Sequence, residues 1–296
     1  MKILVIIVTY NGEHWMEKCI GSIMKSSIKA ETFVVDNTST DRTVEVIRNI
    51  NPNAIIIESK VNLGFGRANN IGMKYALDNG YDYVYLLNQD AWLAENTLEK
   101  LVSVHVNHTE YGILSPMQVN AAGNHFDDNF AVGPVSSKYN RHLIEDLYFS
   151  RLQDVYEVPD VMAAHWLISR KCLEDVGGFS PTFPQYGEDN NYIDRAHYYK
   201  YKAGIVPSTR AVHDRLGREL SKEKLFYLYS YSMPLVYLSD ISETPSFWKM
   251  IGFTFIALQQ YRSLGLALKN WFMVLKKLPT IKRNKKYSLI KGAFLG

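Results

Sequence analysis

Tyr83-Val84-Tyr85-Leu86-Leu87-Asn88-Gln89-Asp90 is the stretch whose reading decides the fold. A short run of aromatic and aliphatic residues stops abruptly at two amides and a carboxylate. That is the pattern of a buried strand in a parallel sheet, with oxygen-bearing side chains at its carboxyl end. Open α/β sheets place their sites at that edge, so Asp90 becomes a candidate ligand for a hard cation.

Working back from it, strand and helix patterns alternate through the first third of the chain, the signature of a mostly parallel, doubly wound sheet. The spacing predicts strands near 3–8, 32–36, 54–58 and 83–88, with helices near 14–25, 41–50 and 67–79. Ser39-Thr40-Asp41 supplies N-cap side chains for the second helix. Since parallel strands end on one side, three polar loops meet there: Thr9-Tyr10-Asn11, Asp36 to Asp41, and Asn62 to Asn70. Asp36 at that edge can accept a hydrogen bond from the imide N–H of a uracil or thymine base. Gly64 and Gly66 let the backbone approach a phosphate, and Arg67 adds positive charge at a helix start. The plainer account of Asp36-Asn37 is a turn with capping residues. The third glycine of a dinucleotide fingerprint is Asn69, which argues against a nicotinamide enzyme.

Working forward, a helix is expected over about 92–106, with Leu98, Leu101, Val102 and Val106 on its inner face, then a strand at 112–116. Residues 117–159 read as irregular structure or a loop over the cleft. Met162 to Arg170 reads as a strand leading into a helix over 171–176 that Gly177-Gly178-Phe179 ends. Gly187-Glu188-Asp189 opens a further helix through about Tyr201, and Ala211-Val212-His213 is another apolar run ending in a potential ligand.

The bulk composition bounds the rest. With 296 residues, 47% hydrophobic and 21% charged, the chain suits one large α/β domain with an appendage, or two domains. A net charge of +3 does not suggest a general nucleic-acid binder. Cys19 and Cys172 lack metal-like spacing and read as buried thiols in a reducing compartment. The apolar run after Met1-Lys2 is too short for a signal peptide, and no stretch reaches the roughly 18 apolar residues of a membrane span. A cytoplasmic protein is expected, with any membrane contact peripheral and on the inner face of the cytoplasmic membrane.

The ordered set Val8-Thr9-Tyr10-Asn11, Val35-Asp36-Asn37, Asn62 to Asn70, Asn88-Gln89-Asp90, Gly177-Gly178-Phe179, Glu188-Asp189 and Val212-His213 resembles the family 2 glycosyltransferases, especially their rhamnosyltransferase-like branch. The resemblance covers roughly residues 1–215. It implies a GT-A fold, Rossmann-like, with a mostly parallel central sheet flanked by helices. It also implies an inverting, metal-dependent hexosyltransferase acting on a nucleotide-sugar in bacterial surface polysaccharide synthesis. By the same resemblance, Thr9, Tyr10, Asn11, Asp36, Gly64, Arg67, Asn70 and Asn88 serve a UDP- or dTDP-sugar donor, and Asp90 with His213 holds Mg²⁺ or Mn²⁺. Asp189 is implied as general base, with Glu188 beside it as the alternative acid or a helix cap. His165, Trp166 and Tyr186 are expected near the acceptor or donor sugar, with a core histidine the competing reading of His165. The acceptor would be a saccharide or lipid-linked. Asn88 stands where the wider family has the first acid of Asp-x-Asp, and Asn191 where many relatives have a further acid. Both departures lower the negative charge around a metal, so a diminished metal requirement, or a catalytically impaired nucleotide-sugar-binding module, is the competing reading.

Residues 1–219 are expected to form the catalytic domain, with a nucleotide-binding half (1–115) and an acceptor half (116–219), and 220–296 a helical, basic C-terminal extension. Acids vanish after Glu243, while Lys269, Lys276, Lys277, Lys282, Arg283, Lys285, Lys286 and Lys291 accumulate beside aromatic and aliphatic residues. Peripheral membrane contact through 245–296, packing on the core, and a homodimer contact are the three accounts left open.

Overall fold

A computed structural model describes residues 1–215, 221–242, 244–261 and 263–295. The expected boundary at 219/220 therefore falls outside the described residues. The first half alternates β1 (Ile3–Thr9), α1 (Glu13–Met24), β2 (Glu31–Asp36), α2 (Thr43–Ile50), β3 (Ile55–Glu58), α3 (Gly64–Asp78) and β4 (Tyr83–Asn88). These four strands are mutually parallel in the order β3-β2-β1-β4. Their register aligns Thr9 with Asp36, Asp36 with Glu58, and Val8 with Asn88, so the polar loops do emerge along one edge. Alternation splits the core: Leu4 and Ile6 join the cluster under α3, while Ile3, Val5 and Ile7 join the one under α1. Gly72 lets α3 lie close to the sheet, because a Cβ there would sit 2.7 Å from an Ile6 methyl.

The second half diverges from the sequence pattern in instructive places. The segment expected to be helical from residue 92 begins as a short strand, β5 (Ala91–Leu93), and α4 (Thr97–Asn107) starts later. Its Val106 is 65% exposed, not part of the inner face. After β6 (Tyr111–Val119), the illegible stretch holds α5 (Asp128–Val132), α6 (Arg141–Tyr148) and β7 (Tyr156–Val158). Then come β8 (His165–Ser169), α7 (Arg170–Val176), α8 (Glu188–Tyr198) and a single long β9 (Lys202–His213), of which the Ala211–His213 run is the end. Among the described residues the strands form one nine-stranded sheet continuing β4-β8-β6-β9-β5, with β7 on β9. The antiparallel pairing of β5 with β9 sets Ala91 opposite His213.

The C-terminal segment comprises α9 (Lys222–Tyr227), a π-helical turn (Leu228–Ser232), α10 (Met233–Ser239), α11 (Phe247–Tyr261) and α12 (Leu264–Tyr287). α12 runs through Pro279, so the basic residues from Lys269 to Lys286 are helical, with Lys291 in the turn beyond. The segment packs on the catalytic half. Lys277 Nζ donates to Thr182 O at 2.9 Å, and Gly178 N donates to Ala293 O at 2.7 Å. Gly177 has φ 83°, and a Cβ there would fall 2.0 Å from Ala293 O, so only glycine admits the returning chain. Among the described residues no helix is long and apolar enough to cross a membrane.

Candidate active site

The first three βα loops are braced by their own polar side chains. Asp36, 3% exposed, accepts from Thr9 Oγ1 at 2.8 Å and Ser39 Oγ at 2.5 Å on one oxygen, and from Ser39 N at 2.8 Å on the other. Three of its roughly four lone-pair sites are thus committed to the loops. Asn11, at φ 48°, accepts from Thr40 N at 2.8 Å and so links the first loop to the second. Gln89 holds Tyr10 through both backbone groups, accepting from its N–H at 2.8 Å and donating to its carbonyl at 3.2 Å.

These loops surround a cleft of about 410 Å³ lined by Thr9, Tyr10, Asn37, Gly64, Asn88 and Asp90, with Asn62, Gln89, Pro184 and Gln185 completing the rim. Asn37, Asn62 and Gln89 stand within the motifs quoted from the sequence, which assigned them no role in the site. Asn37 Oδ1 accepts from Leu63 N at 3.1 Å, tying the second loop to the third.

Asn11, Asp36, Arg67 and Asn70 of the expected donor residues stand outside that lining, the first two as braces of its loops and the last two with other partners. Asn70 turns inward and clips Phe179, donating to its carbonyl at 2.9 Å and accepting from its N–H at 2.7 Å, and also donates to Phe294 O at 3.1 Å. Its amide is consumed by backbone, which explains why Gly178 follows: a Cβ there would lie 2.6 Å from Asn70 Oδ1. Arg67 is exposed, outside the cleft lining, and its charge is felt by Lys277, whose pKa is lowered first by burial and then by that guanidinium.

The register of β5 on β9 brings the two expected cation ligands together. Asp90 Oδ1 lies 3.6 Å from His213 Nε2, and both side chains are largely buried, 11% and 5% exposed. Behind them stands Asp127, which sequence reading left in an irregular stretch. Its Oδ1 caps α5, accepting from Asn129 N and Phe130 N at 3.0 and 3.1 Å. Its Oδ2 faces His213 Nδ1 at 3.4 Å and also pairs with Arg215. The His213 Nδ1 is buried and completes no hydrogen bond among the described residues, so it is an orphaned polar atom of this site. A carboxylate behind the far nitrogen of a histidine is the arrangement that orients metal-ligating imidazoles. Among the described residues no group of three or more His, Cys, Asp and Glu gathers as a ready-made metal cage. One oxygen and one nitrogen donor fit an Mg²⁺ or Mn²⁺ ion that takes its remaining ligands from a bound ligand and water.

His165 and Trp166 correct the expectation of a sugar-facing wall. Both are 0% exposed. His165 Nδ1 lies 2.9 Å from the Tyr85 hydroxyl and Nε2 lies 2.9 Å from Val212 O, so the proton sits on Nε2 and the hydroxyl donates to Nδ1. Burial holds its pKa down at about 3. The ring is a neutral strut between β4 and β9, one residue from His213. Trp166 donates to Val161 O at 3.2 Å and packs between Phe179 and Tyr192.

The acids at the start of α8 follow Gly187, which is left-handed at φ 95°. Burial, followed by the charge of Asp189, raises the Glu188 pKa, and its Oε2 has no hydrogen-bond partner among the described residues. Asp189 is also raised, with burial outweighing the backbone N–H groups and Arg215 that pull it down. Desolvation therefore exceeds the helix-terminal field, which by itself would favour the anion. Asp160, donated to by Asn190 Nδ2 at 2.7 Å, belongs to the same group and is raised by burial and by Asp189. Arg215 thus joins two parts of the site, paired with Asp127 and acting on Asp189. Tyr186, at φ 65°, lines an adjoining pocket of about 450 Å³ between Pro184-Gln185 and α9.

The sequence matches glycosyl transferase family 2 over residues 4–177, more than half of the chain. The chain belongs to that family. Its GT-A architecture agrees with two solved structures. One is S. aureus TarS 1-349 in complex with UDP-GlcNAc (TM-score 0.60, 16% identity, covering 98% of this chain and 82% of that one). The other is the mannosyltransferase PcManGT from Pyrobaculum calidifontis with GDP-Man and Mn²⁺ (TM-score 0.60, 17% identity, covering 97% and 86%). A relative along nearly the whole length is the N-acetylglucosaminyl-diphospho-decaprenol L-rhamnosyltransferase of Mycobacterium tuberculosis, 22% identical over 315 residues and covering 97% of each chain. This family 2 member is accordingly a glycosyltransferase.

Proposed function

We propose that this glycosyltransferase moves one sugar, with inversion, from a UDP- or dTDP-sugar to a saccharide or lipid-linked acceptor in bacterial surface polysaccharide synthesis, at the inner face of the cytoplasmic membrane. The observation that carries the reading is the Asp90–His213 pair, 3.6 Å apart where Asp90 lines the cleft at the strand ends. The relatives' names, a decaprenol-linked rhamnosyltransferase among them, support the acceptor class.

Asp90 and His213 would hold Mg²⁺ or Mn²⁺, with Asp127 keeping the imidazole in register; the ion, when bound, supplies Lewis acidity that neutralises a departing diphosphate. The other steps belong to the chain's own groups. Thr9, Tyr10, Asn37 and Gly64 cradle the nucleoside, and Asp36 keeps those loops in place with one lone-pair site left for a base N–H. Asp189 or Glu188 accepts the proton of the acceptor hydroxyl. A carboxylate with a raised pKa is a better base for that task than an ordinary one, provided it is ionised at working pH. Tyr186 offers an aromatic face for a sugar ring in the adjoining pocket.

The test is a screen of UDP-, dTDP- and GDP-sugars for thermal stabilisation, followed by transfer assays with Mn²⁺. A cognate donor should raise the melting temperature by mass action. Donor binding without hydrolysis or transfer under any metal would favour the impaired binding module suggested by Asn88 and Asn191.

A further inference from the structure

α12 has two apolar faces. Ala267, Val274 and Ile281 point into the molecule and are at most 2% exposed. Leu264, Leu268, Phe272 and Leu275 form a separate stripe centred about 120° round the helix and are 50–62% exposed. At 100° per residue these four fall within about a quarter of the helix circumference. The same stripe continues past Pro279 into exposed Lys282 and Lys286. α11 repeats the arrangement with Trp248, Ile251 and Phe255 at 77%, 38% and 59% exposure, while Met250 on its inner side is 7% exposed.

We propose that the outer face of α11 and α12 is a docking surface for an anionic lipid bilayer, lying in the plane of the headgroups. The pattern is that of an interfacial helix, with large apolar side chains to enter the acyl boundary and basic residues to meet lipid phosphates. Lys276 sits 4.5 Å over the Phe272 ring, so cation and apolar body occupy one spot, as a side chain at the headgroup boundary does. No helix described here crosses a membrane, so the contact is one-sided. Charge selects this occupant over a second copy. The sequence after Glu243 contains no Asp or Glu, so two copies meeting through this face would bring lysines together with no acid in the segment to answer them. The surface is also coupled to the cleft, because Lys277 on α12 holds Thr182 two residues before cleft-lining Pro184.

The experiment is flotation of the full chain with phosphatidylcholine vesicles containing or lacking phosphatidylglycerol, without donor or acceptor, so that its failure says nothing about sugar transfer. Binding to the anionic vesicles is expected, weakened by salt. Lys282→Glu with Lys286→Glu should lower the partition coefficient by about fivefold or more for each lysine lost. Leu268→Ser with Phe272→Ser should lower it by about tenfold or more, at an unchanged melting temperature because both side chains face outward. No flotation with any vesicle overturns the proposal. Equal partition into neutral vesicles, or a solution dimer that the Leu268/Phe272 variant turns monomeric without vesicle binding, also overturns it.

Discussion

Replacing His165 by Phe tests whether this residue is a strut or a sugar contact. The substitution keeps a planar ring in the site and removes both nitrogens. It strands the Tyr85 hydroxyl, hydrogen-bonded to the imidazole at 2.9 Å inside the sheet, and removes one of the bonds to the Val212 carbonyl. A buried polar group left without a partner costs about 1–3 kcal/mol, so a loss of about that size is expected. Urea unfolding followed by tryptophan fluorescence measures it. The pH dependence carries an independent signature. The folded pKa is depressed to about 3 from 6.5, so the unfolded chain takes up a proton on acidification that the folded chain refuses. That share of stability is whole above pH 6.5 and is lost as pH falls toward 3, at about 1.4 kcal/mol per unit. The Phe variant lacks it, so the gap between the two proteins should narrow on acidification. Taking the difference also cancels the opposite trend of the carboxyls Glu188, Asp160 and Asp194, whose raised pKa values favour the folded state as they protonate. A loss below about 1 kcal/mol at pH 7, or intact stability with sugar transfer abolished, would refute the strut.

Asp127→Asn should weaken Mn²⁺ binding by about 10–100-fold while leaving metal-free nucleotide binding unchanged, as read by calorimetry. Asp189→Asn should reduce kcat by about 10²–10⁴-fold with donor affinity retained, and the same loss from Glu188→Gln alone would move the base to its neighbour. Because these carboxyls are raised by burial, wild-type kcat should climb with pH through a midpoint above the ordinary carboxylate range. Gly177→Ala places a methyl 2.0 Å from Ala293 O at a φ of 83° and should destabilise the protein by about 2–5 kcal/mol, with protease cleavage beginning in the C-terminal segment.

The first half was legible because each strand carries an apolar run closed by polar residues, so β1, β2, β3 and β4 could be drawn to within a residue or so. Legibility failed where a local pattern was overruled by partners far away. Ala91-Trp92-Leu93 is too short to announce itself as a strand and becomes one only because β9 lies beside it. A proline inside a helix removes a backbone donor, yet α12 continues through Pro279, with Ile281 and Asn284 packed inward beyond it. His165 and Asn70 carry side chains that could bind ligands, and nothing local says that Tyr85, Val212 and Phe179 use them up. His165 did sit in an unbroken apolar run, Trp166-Leu167-Ile168 following Ala163-Ala164, which was the available sign of a core histidine. Asp127 was hidden among Gly, Asn and Asp, and only the fold sets it behind His213.

The central claim is that Asp90 and His213 together hold a cation for a nucleoside diphosphate. Calorimetric titration of the stabilising nucleotide, with and without Mn²⁺, into wild type, Asp90→Ala and His213→Ala tests it most directly. The account predicts that Mn²⁺ tightens binding to wild type by about tenfold or more and has no effect on either variant. An undiminished Mn²⁺ effect in Asp90→Ala would contradict it.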